Sequence, residues 1–433
     1  MQEFAQRRQN LARKLLPNSL IFLASAAIKS RNSDVEFPFR QESNFYYLTG
    51  IKEPEVILVL LTDESKKSRS ILFLPARQLE IERWTGPRIG AEGAVVFYGV
   101  DEAYPLEEFQ KKLPTLLSGK DMIYHSLGHN PDMDEMLIQA YKGVTAKVAK
   151  GLKAPEGILN LLPFIHELRL IKAPEEIVLM KKAASISAQA HKQLMKYCPK
   201  ALMEYELDAL FSYECLMQGA RGLAYSSIVA NGLNACFLHY TNNDQHLKKN
   251  DLVLVDAGCE YDYYASDITR TYPVNGRFTE AQKAIYQLVL DSQLAAIELV
   301  RPGLAWDKIQ ETILNVLVKG LVNLGILKGS IDELIKEKAY LKFYMHSSGH
   351  WLGLDVHDTG SYQIKGLATS LVENMVFTIE PGLYISPDDK DVDPKWWGIG
   401  VRIEDDILVT KQGHEVLSQE APKSIVDIEA WMQ

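Results

Sequence analysis

The chain has 433 residues, 47% of them hydrophobic and 24% charged, and a formal net charge of −9. That length exceeds one ordinary hydrophobic core and predicts a globular protein of two domains. The acidic balance, with no basic patch, excludes a nucleic-acid or anionic-membrane partner, and no apolar run reaches the roughly 18–20 residues of a membrane-spanning helix.

Arg7, Arg8, Arg13 and Lys14 precede LLPNSLIFLASAA in a loose imitation of a signal peptide, but Pro17, Asn18 and Ser19 interrupt it. Phe4 to Leu16 reads instead as an amphipathic helix and Leu20 to Ala24 as a first strand. A mature N-terminus beyond Ala27 would overturn that reading. Strand-like VILVLLT (56–62) and SILFLPA (70–76) then alternate with helical stretches, Leu106 to Leu117 and Met133 to Gly151, which predicts an α/β domain with its sheet covered on both faces. Between them, Glu82 to Arg88 mixes charge, the indole of Trp84 and the turn formers Gly86 and Pro87, and reads as a surface loop.

Pro155, Pro163 and Pro174 punctuate the chain before the strongly helical Glu175 to Tyr197, so the boundary is expected there, with domains 1–172 and 173–433. The second domain offers helices near Glu204 to Gln218, Thr279 to Val300 and Trp306 to Leu324, the second opened by a capping box from Thr279 to Gln282. Strand candidates lie at Ser226 to Ala230, Met375 to Ile385 and Gly400 to Thr410, an α+β pattern. The four cysteines, Cys198, Cys215, Cys236 and Cys259, make no C-x-x-C pair, and buried free thiols in a reducing, cytoplasmic compartment are expected.

The chemistry concentrates in DLVLVDAGCEYDYYASDITRTYP, from Asp251 to Pro273. Leu252 to Val255 is apolar on both faces, as in a covered strand, yet ends in Asp256; Asp267 is expected to open the returning strand. Carboxylates facing each other across such a hairpin repel unless a cation separates them; an Asp-rich turn in water is the bland alternative. Glu380 repeats the arrangement, ending the apolar run Val376 to Ile379 before a Pro-Gly turn. Arg402 and Glu404 lie two apart and share a face of their strand. His346 and His350 have the spacing of a helical zinc site, but Ser347, Ser348 and Gly349 are poor helix formers and no H-E-x-x-H motif is present.

The ordered set Asp256, Asp267, His350, Glu380 and Glu404, with the words NACFLHY, VDAG, SDITRTYPV, GHWLGLDVHD, TIEPGLY and GVRIEDD, closely resembles the five ligands of the pita-bread metallopeptidases, the creatinase, prolidase and methionine aminopeptidase superfamily. FPFRQESNFYYLTG (37–50) likewise resembles the N-terminal domain of aminopeptidase P. The resemblance implies an α/β N-terminal domain followed by an α+β pita-bread domain. It implies an Xaa-Pro aminopeptidase in which two divalent ions, Mn²⁺ first and Zn²⁺ or Co²⁺ as alternatives, activate a bridging hydroxide. Asp256 would chelate one ion, His350 and Glu380 the other, and Asp267 and Glu404 would bridge them. By the same resemblance His239 and His357 hold substrate and stabilise the oxyanion, and Glu380 also shuttles a proton. Arg402 orients a ligand carboxylate, and His346, Tyr384, Tyr225 and Trp84 contact a proline-containing peptide. Trp84 would do so in a neighbouring subunit of a dimer or tetramer. A prolidase and a non-catalytic pita-bread scaffold are the rival readings.

Overall fold

The computed structural model describes residues 2–433, which form two compact units, one ending at Arg169 and the other spanning Leu170–Gln433.

The first unit is built on a six-stranded mixed sheet. Its strands run in the order Glu102–Pro105, Ser68–Leu74, Ile57–Thr62, Ser19–Ala24, Met122–Tyr124, Gly157–Leu159. Ile57–Thr62 is buried at every position, which explains why its sequence is continuously apolar instead of alternating. Phe109–Leu117 and Pro131–Thr145 supply helical side chains (Phe109, Leu113, Leu137, Val144) to the same core as Phe22, Val59 and Phe73. Asn130 caps the second of these helices through Met133 N–H, with Pro131 in the first turn.

The surface loop expected at Glu82 to Arg88 is corrected here: Leu79–Thr85 is a helix. Gly86 and Pro87 follow this short helix and end it, so the turn formers act as a stop signal and not as breakers. Arg77 grips Glu82 through two hydrogen bonds near its start. Trp84 is 90% exposed on this helix.

In the second unit, Ile228–Asn231, Leu252–Asp256 and Thr269–Pro273 form one antiparallel sheet. Asp256 pairs in register with Thr269, so Asp267 precedes the returning strand and does not open it. Between them Cys259–Tyr261 and Tyr264–Ala265 make a smaller hairpin. The run Met375 to Ile385 is two strands, Val376–Ile379 and Gly382–Ile385, and Gly400 to Thr410 is likewise two, Ile399–Arg402 and Asp405–Val409. The outer pair, Val376–Ile379 with Asp405–Val409, and the inner pair, Gly382–Ile385 with Ile399–Arg402, belong to different sheets. Glu380 and Glu404 therefore sit at the points where the chain passes from one sheet to the other. Their amides are released from ladder pairing and donate elsewhere, Glu380 to Ser348 O and Glu404 to Thr269 O.

The helices Pro174–Tyr197, Glu204–Met217, Glu280–Leu299 and Asp307–Asn323 bury Ile186, Phe211, Ile285, Val289 and Leu317 in one core with Val253, Val255, Phe377 and Val401. Thr279 closes the expected capping box with Gln282. All four cysteines are free, and Cys198, Cys215 and Cys259 are buried. No described helix is long and apolar enough to cross a membrane.

Candidate metal centre

Asp256, Asp267, His350, Glu380 and Glu404 all line one cleft of about 1420 Å³, each acid delivered at or beside the end of a strand and His350 by the loop His346–His350. Two glycines permit the convergence. At Gly258 a Cβ would run into the Ser266 carbonyl, and at Gly349 into the carbonyl of Thr378, so only glycine lets these backbones meet.

Asp267, His350 and Glu404 bring one ligand atom each to within 4.8 Å of one another. His350 Nε2 lies 3.3 Å from Asp267 Oδ2, 3.7 Å from Glu380 Oε1 and 4.0 Å from Glu404 Oε1. The other ring nitrogen, Nδ1, donates to Trp351 O at 3.0 Å, so Nε2 is the nitrogen that faces the acids and the one that would turn a lone pair to a metal in place of its proton. Tyr225 Oη lies 2.6 Å from both Asp256 Oδ1 and Asp267 Oδ1. Arg402 Nη2 donates to Asp256 Oδ2 at 2.6 Å.

This donor set fits divalent cations. Burial, only partly countered by Arg402, raises Asp256 above its ordinary range. Burial again, reinforced by Asp267 and Glu380, raises Glu404 well above its own, and Glu380 is pushed up to about 7, mainly by burial. Glu404 Oε1 is buried without a hydrogen-bond partner. Burial disfavours a charged His350, yet its hydrogen bond and attraction to Asp267 push it up to about 9. Acids that crowd together, and one orphaned oxygen among them, are the electrostatics of a site that awaits positive charge.

Beside the acids runs a second chain of hydrogen bonds. Arg402 Nη1 donates to Tyr384 Oη at 2.9 Å, and Tyr384 Oη lies 2.8 Å from His346 Nε2. His346 Nδ1 faces Ser347 O at 2.8 Å, so it carries the proton and Nε2 accepts. Burial and the nearby Arg402 lower His346 to about 3, which keeps the ring neutral. The residues 346–350 are not helical. His357 packs its ring 4.2 Å from that of His350, and His239 also lines the cleft. Trp84 lines no part of it, since every lining residue belongs to the second unit.

Residue-by-residue reading missed several neighbours. Thr269 Oγ1 donates to Glu404 Oε2 at 2.7 Å and receives Arg402 Nε at 3.3 Å. Asp406 accepts the Asp267 amide at 3.2 Å. Both stand inside the quoted words SDITRTYPV and GVRIEDD, so the signal was their adjacency to ligand positions.

Residues 178–411 match the family described as Metallopeptidase family M24, and residues 4–124 match Aminopeptidase P, N-terminal domain. The chain belongs to metallopeptidase family M24. Within this family it is 43% identical to the Xaa-Pro aminopeptidase of Escherichia coli (strain K12) over 431 residues, 100% of this chain and 97% of that protein. It is 41% identical to Xaa-Pro aminopeptidase 3 of Homo sapiens, covering 92% of this chain and 78% of that one. The solved structure of Pseudomonas aeruginosa aminopeptidase PepP superposes with a TM-score of 0.97 at 46% identity, covering 100% and 97% of the two chains. These similarities bear out the expected architecture, an aminopeptidase P N-terminal domain followed by the α+β pita-bread domain of the M24 family.

Proposed function

We propose that this chain is a metal-dependent aminopeptidase that hydrolyses the N-terminal Xaa-Pro bond of peptides, working in the cytoplasm. The observation that carries the proposal is the convergence of Asp256, Asp267, Glu380 and Glu404 on His350 in one cleft, with Arg402 as the one guanidinium lining it. The Xaa-Pro aminopeptidase activity for which its relatives are named points the same way.

In this reading the four carboxylates and His350 would hold two divalent ions, whose positive charge would offset that of the acids, and Asp267 and Glu404 would serve both. Manganese suits oxygen-rich ligation with one imidazole, and zinc or cobalt suits it too. Such ions supply Lewis acidity toward a carbonyl and a water whose pKa falls near 7.

The remaining work belongs to side chains. Arg402 and Tyr225 hold Asp256 in one orientation, and the Trp351 carbonyl holds His350 in another. A proline nitrogen carries no N–H, so it must leave by gaining a proton. Glu380, whose Oε1 lies 3.7 Å from His350 Nε2 in the cleft, gives it. His239 and His357 donate to the substrate and to the developing oxyanion. The linked rings of His346 and Tyr384 form a shelf for the pyrrolidine. Trp84, 90% exposed, reaches toward a neighbouring subunit in a dimer or tetramer.

Hydrolysis of an Xaa-Pro-Yaa peptide before and after chelation, with readdition of single metals, tests the proposal. Activity that survives exhaustive chelation would sink it. Faster cleavage of Xaa-Pro dipeptides than of longer peptides would make the enzyme a prolidase instead.

A further inference from the structure

Gln310, on the helix Asp307–Asn323, is held in a way that the metal chemistry does not require. Its Oε1 accepts two hydrogen bonds from one residue, Ser348 N–H at 2.9 Å and Ser348 Oγ–H at 2.5 Å. A backbone N–H cannot face an NH₂ group, so the amide orientation is fixed by the donor. Because the Ser348 hydroxyl spends its proton on Gln310, it must receive the next bond, from Tyr344 Oη at 2.6 Å. Burial raises the Tyr344 phenol well above its ordinary value, and it keeps that proton. The relay Tyr344 to Ser348 to Gln310 therefore has one direction. At its end stands Gln310 Nε2, with no hydrogen-bond partner among the described residues, on a side chain that lines the cleft.

The same segment anchors the reaction centre. Ser348 lies between His346 and His350, and its carbonyl accepts the Glu380 amide at 2.9 Å. Besides Gln310 the cleft wall includes Trp306 and Tyr362, whose rings lie 5.0 Å apart, with Asp307, Met345 and Gln363. Asp307, one turn before Gln310 on the same helix, adds a carboxylate to it. A neutral amide donor beside a negative charge selects an uncharged carbonyl oxygen over a carboxylate. Ser348, which Gln310 binds, stands two residues from His346, so Gln310 adjoins the shelf proposed for the proline ring.

We propose that Gln310 is a substrate-binding residue whose Nε2 donates to a carbonyl oxygen of the leaving peptide, beyond the scissile bond. The inference rests on the Xaa-Pro aminopeptidase reading and deepens it, since it gives the enzyme a built preference for peptides that continue past the proline. A dipeptide would present its carboxylate to this wall.

Steady-state kinetics of the manganese-loaded enzyme on Ala-Pro-Ala amide and on alanyl-pyrrolidide tests it. Both substrates carry the same tertiary amide bond, but the second has no carbonyl after the ring. Gln310→Glu keeps the acceptor that Ser348 needs and removes the donor; Gln310→Met removes both. The expected result is that wild type has the lower KM for the tripeptide amide, and that in both variants this KM advantage shrinks about 3- to 10-fold, the worth of one neutral hydrogen bond, with kcat moving less. If Gln310→Glu retains the full advantage, the residue serves only to hold Ser348 and the proposal fails. It also fails if both substrates lose equally. If wild type cleaves the tripeptide amide and the variants match it on both substrates, Gln310 is misassigned while the aminopeptidase reading stands. If wild type cleaves neither, that reading falls and takes this one with it.

Discussion

Glu404 and Asp405 are consecutive, both almost wholly buried, and electrostatically opposite. Asp405 faces the floor under the cleft, where Arg270 Nη2 (2.7 Å), Lys423 Nζ (2.6 Å), Ser418 Oγ (2.6 Å) and Gln293 Nε2 (3.0 Å) saturate it. Burial opposes its charge, but Arg270 and Lys423 prevail and hold it well below the ordinary carboxylate range. Glu404 faces the cleft with Thr269 as its hydroxyl partner and one oxygen bare, and is raised. Two histidines repeat the contrast. His191, beneath the hairpin, meets the Ala257 carbonyl at 3.0 Å and is lowered to about 4, chiefly by burial, whereas His350 among the acids is raised. Equal burial thus separates two uses of charge: a closed network that specifies the fold, and an open one left for a ligand.

The sharpest break in this contrast is expected from Glu404→Gln. If Glu404 holds metal as proposed, its loss should cut kcat/KM by about a thousandfold or more, since metal catalysis supplies several kcal/mol. The melting temperature of the chelated protein should not fall, because the neutral amide relieves the crowding by Asp267 and Glu380 that raises this carboxyl. A large drop in melting temperature would place Glu404 in the structural class with Asp405.

Asp405→Asn should do the reverse. It leaves Arg270, 0% exposed, facing a neutral group, and should cost about 3–5 kcal/mol in urea unfolding.

His191 gives the floor a pH signature. Its folded value, about 4, lies below the ordinary 6.5, so the unfolded chain takes the proton first. The associated stability is fully present above pH 6.5 and is lost as pH falls toward 4, about 3 kcal/mol in all. Unfolding free energies measured across that window should fall less steeply in His191→Gln; an unchanged slope would contradict the assignment.

Arg402→Ala should lower activity or metal affinity by about 10- to 100-fold, as expected when the group that orients a ligand is removed. Full activity in that variant would detach Arg402 from Asp256's role. The smallest effect belongs to Trp84→Ala, which should change stability by less than about 0.5 kcal/mol because the ring is exposed. Light scattering of the variant tests the oligomer: an unchanged mass and unchanged activity would remove Trp84 from any shared site.

Much of this protein was readable along the chain because its signals are local. The buried strands announced themselves as unbroken apolar runs at 57–62 and 252–256, and the helix Glu280–Leu299 by its capping box. The ordered words around Asp256, Asp267, His350, Glu380 and Glu404 carried the family. The helix Leu79–Thr85 was missed, since Trp84, Gly86 and Pro87 suggest a turn when their positions relative to a helix end are ignored.

Other features depend on contacts that no local pattern encodes. That Glu380 and Glu404 sit where strands change sheets follows from register between segments far apart in sequence. That Asp405 is structural and its neighbour open depends on Arg270, Lys423 and Thr269 arriving from elsewhere. Gln310 is one more polar residue on an amphipathic helix until Ser348, 38 residues on, claims its oxygen and fixes which end of the amide is left to donate. The sequence by itself determined which side chains could bear charge and which strands would bury them. Only the tertiary structure decided which of those charges found partners, because partnering in a low-dielectric interior is a matter of ångströms between distant parts of the chain.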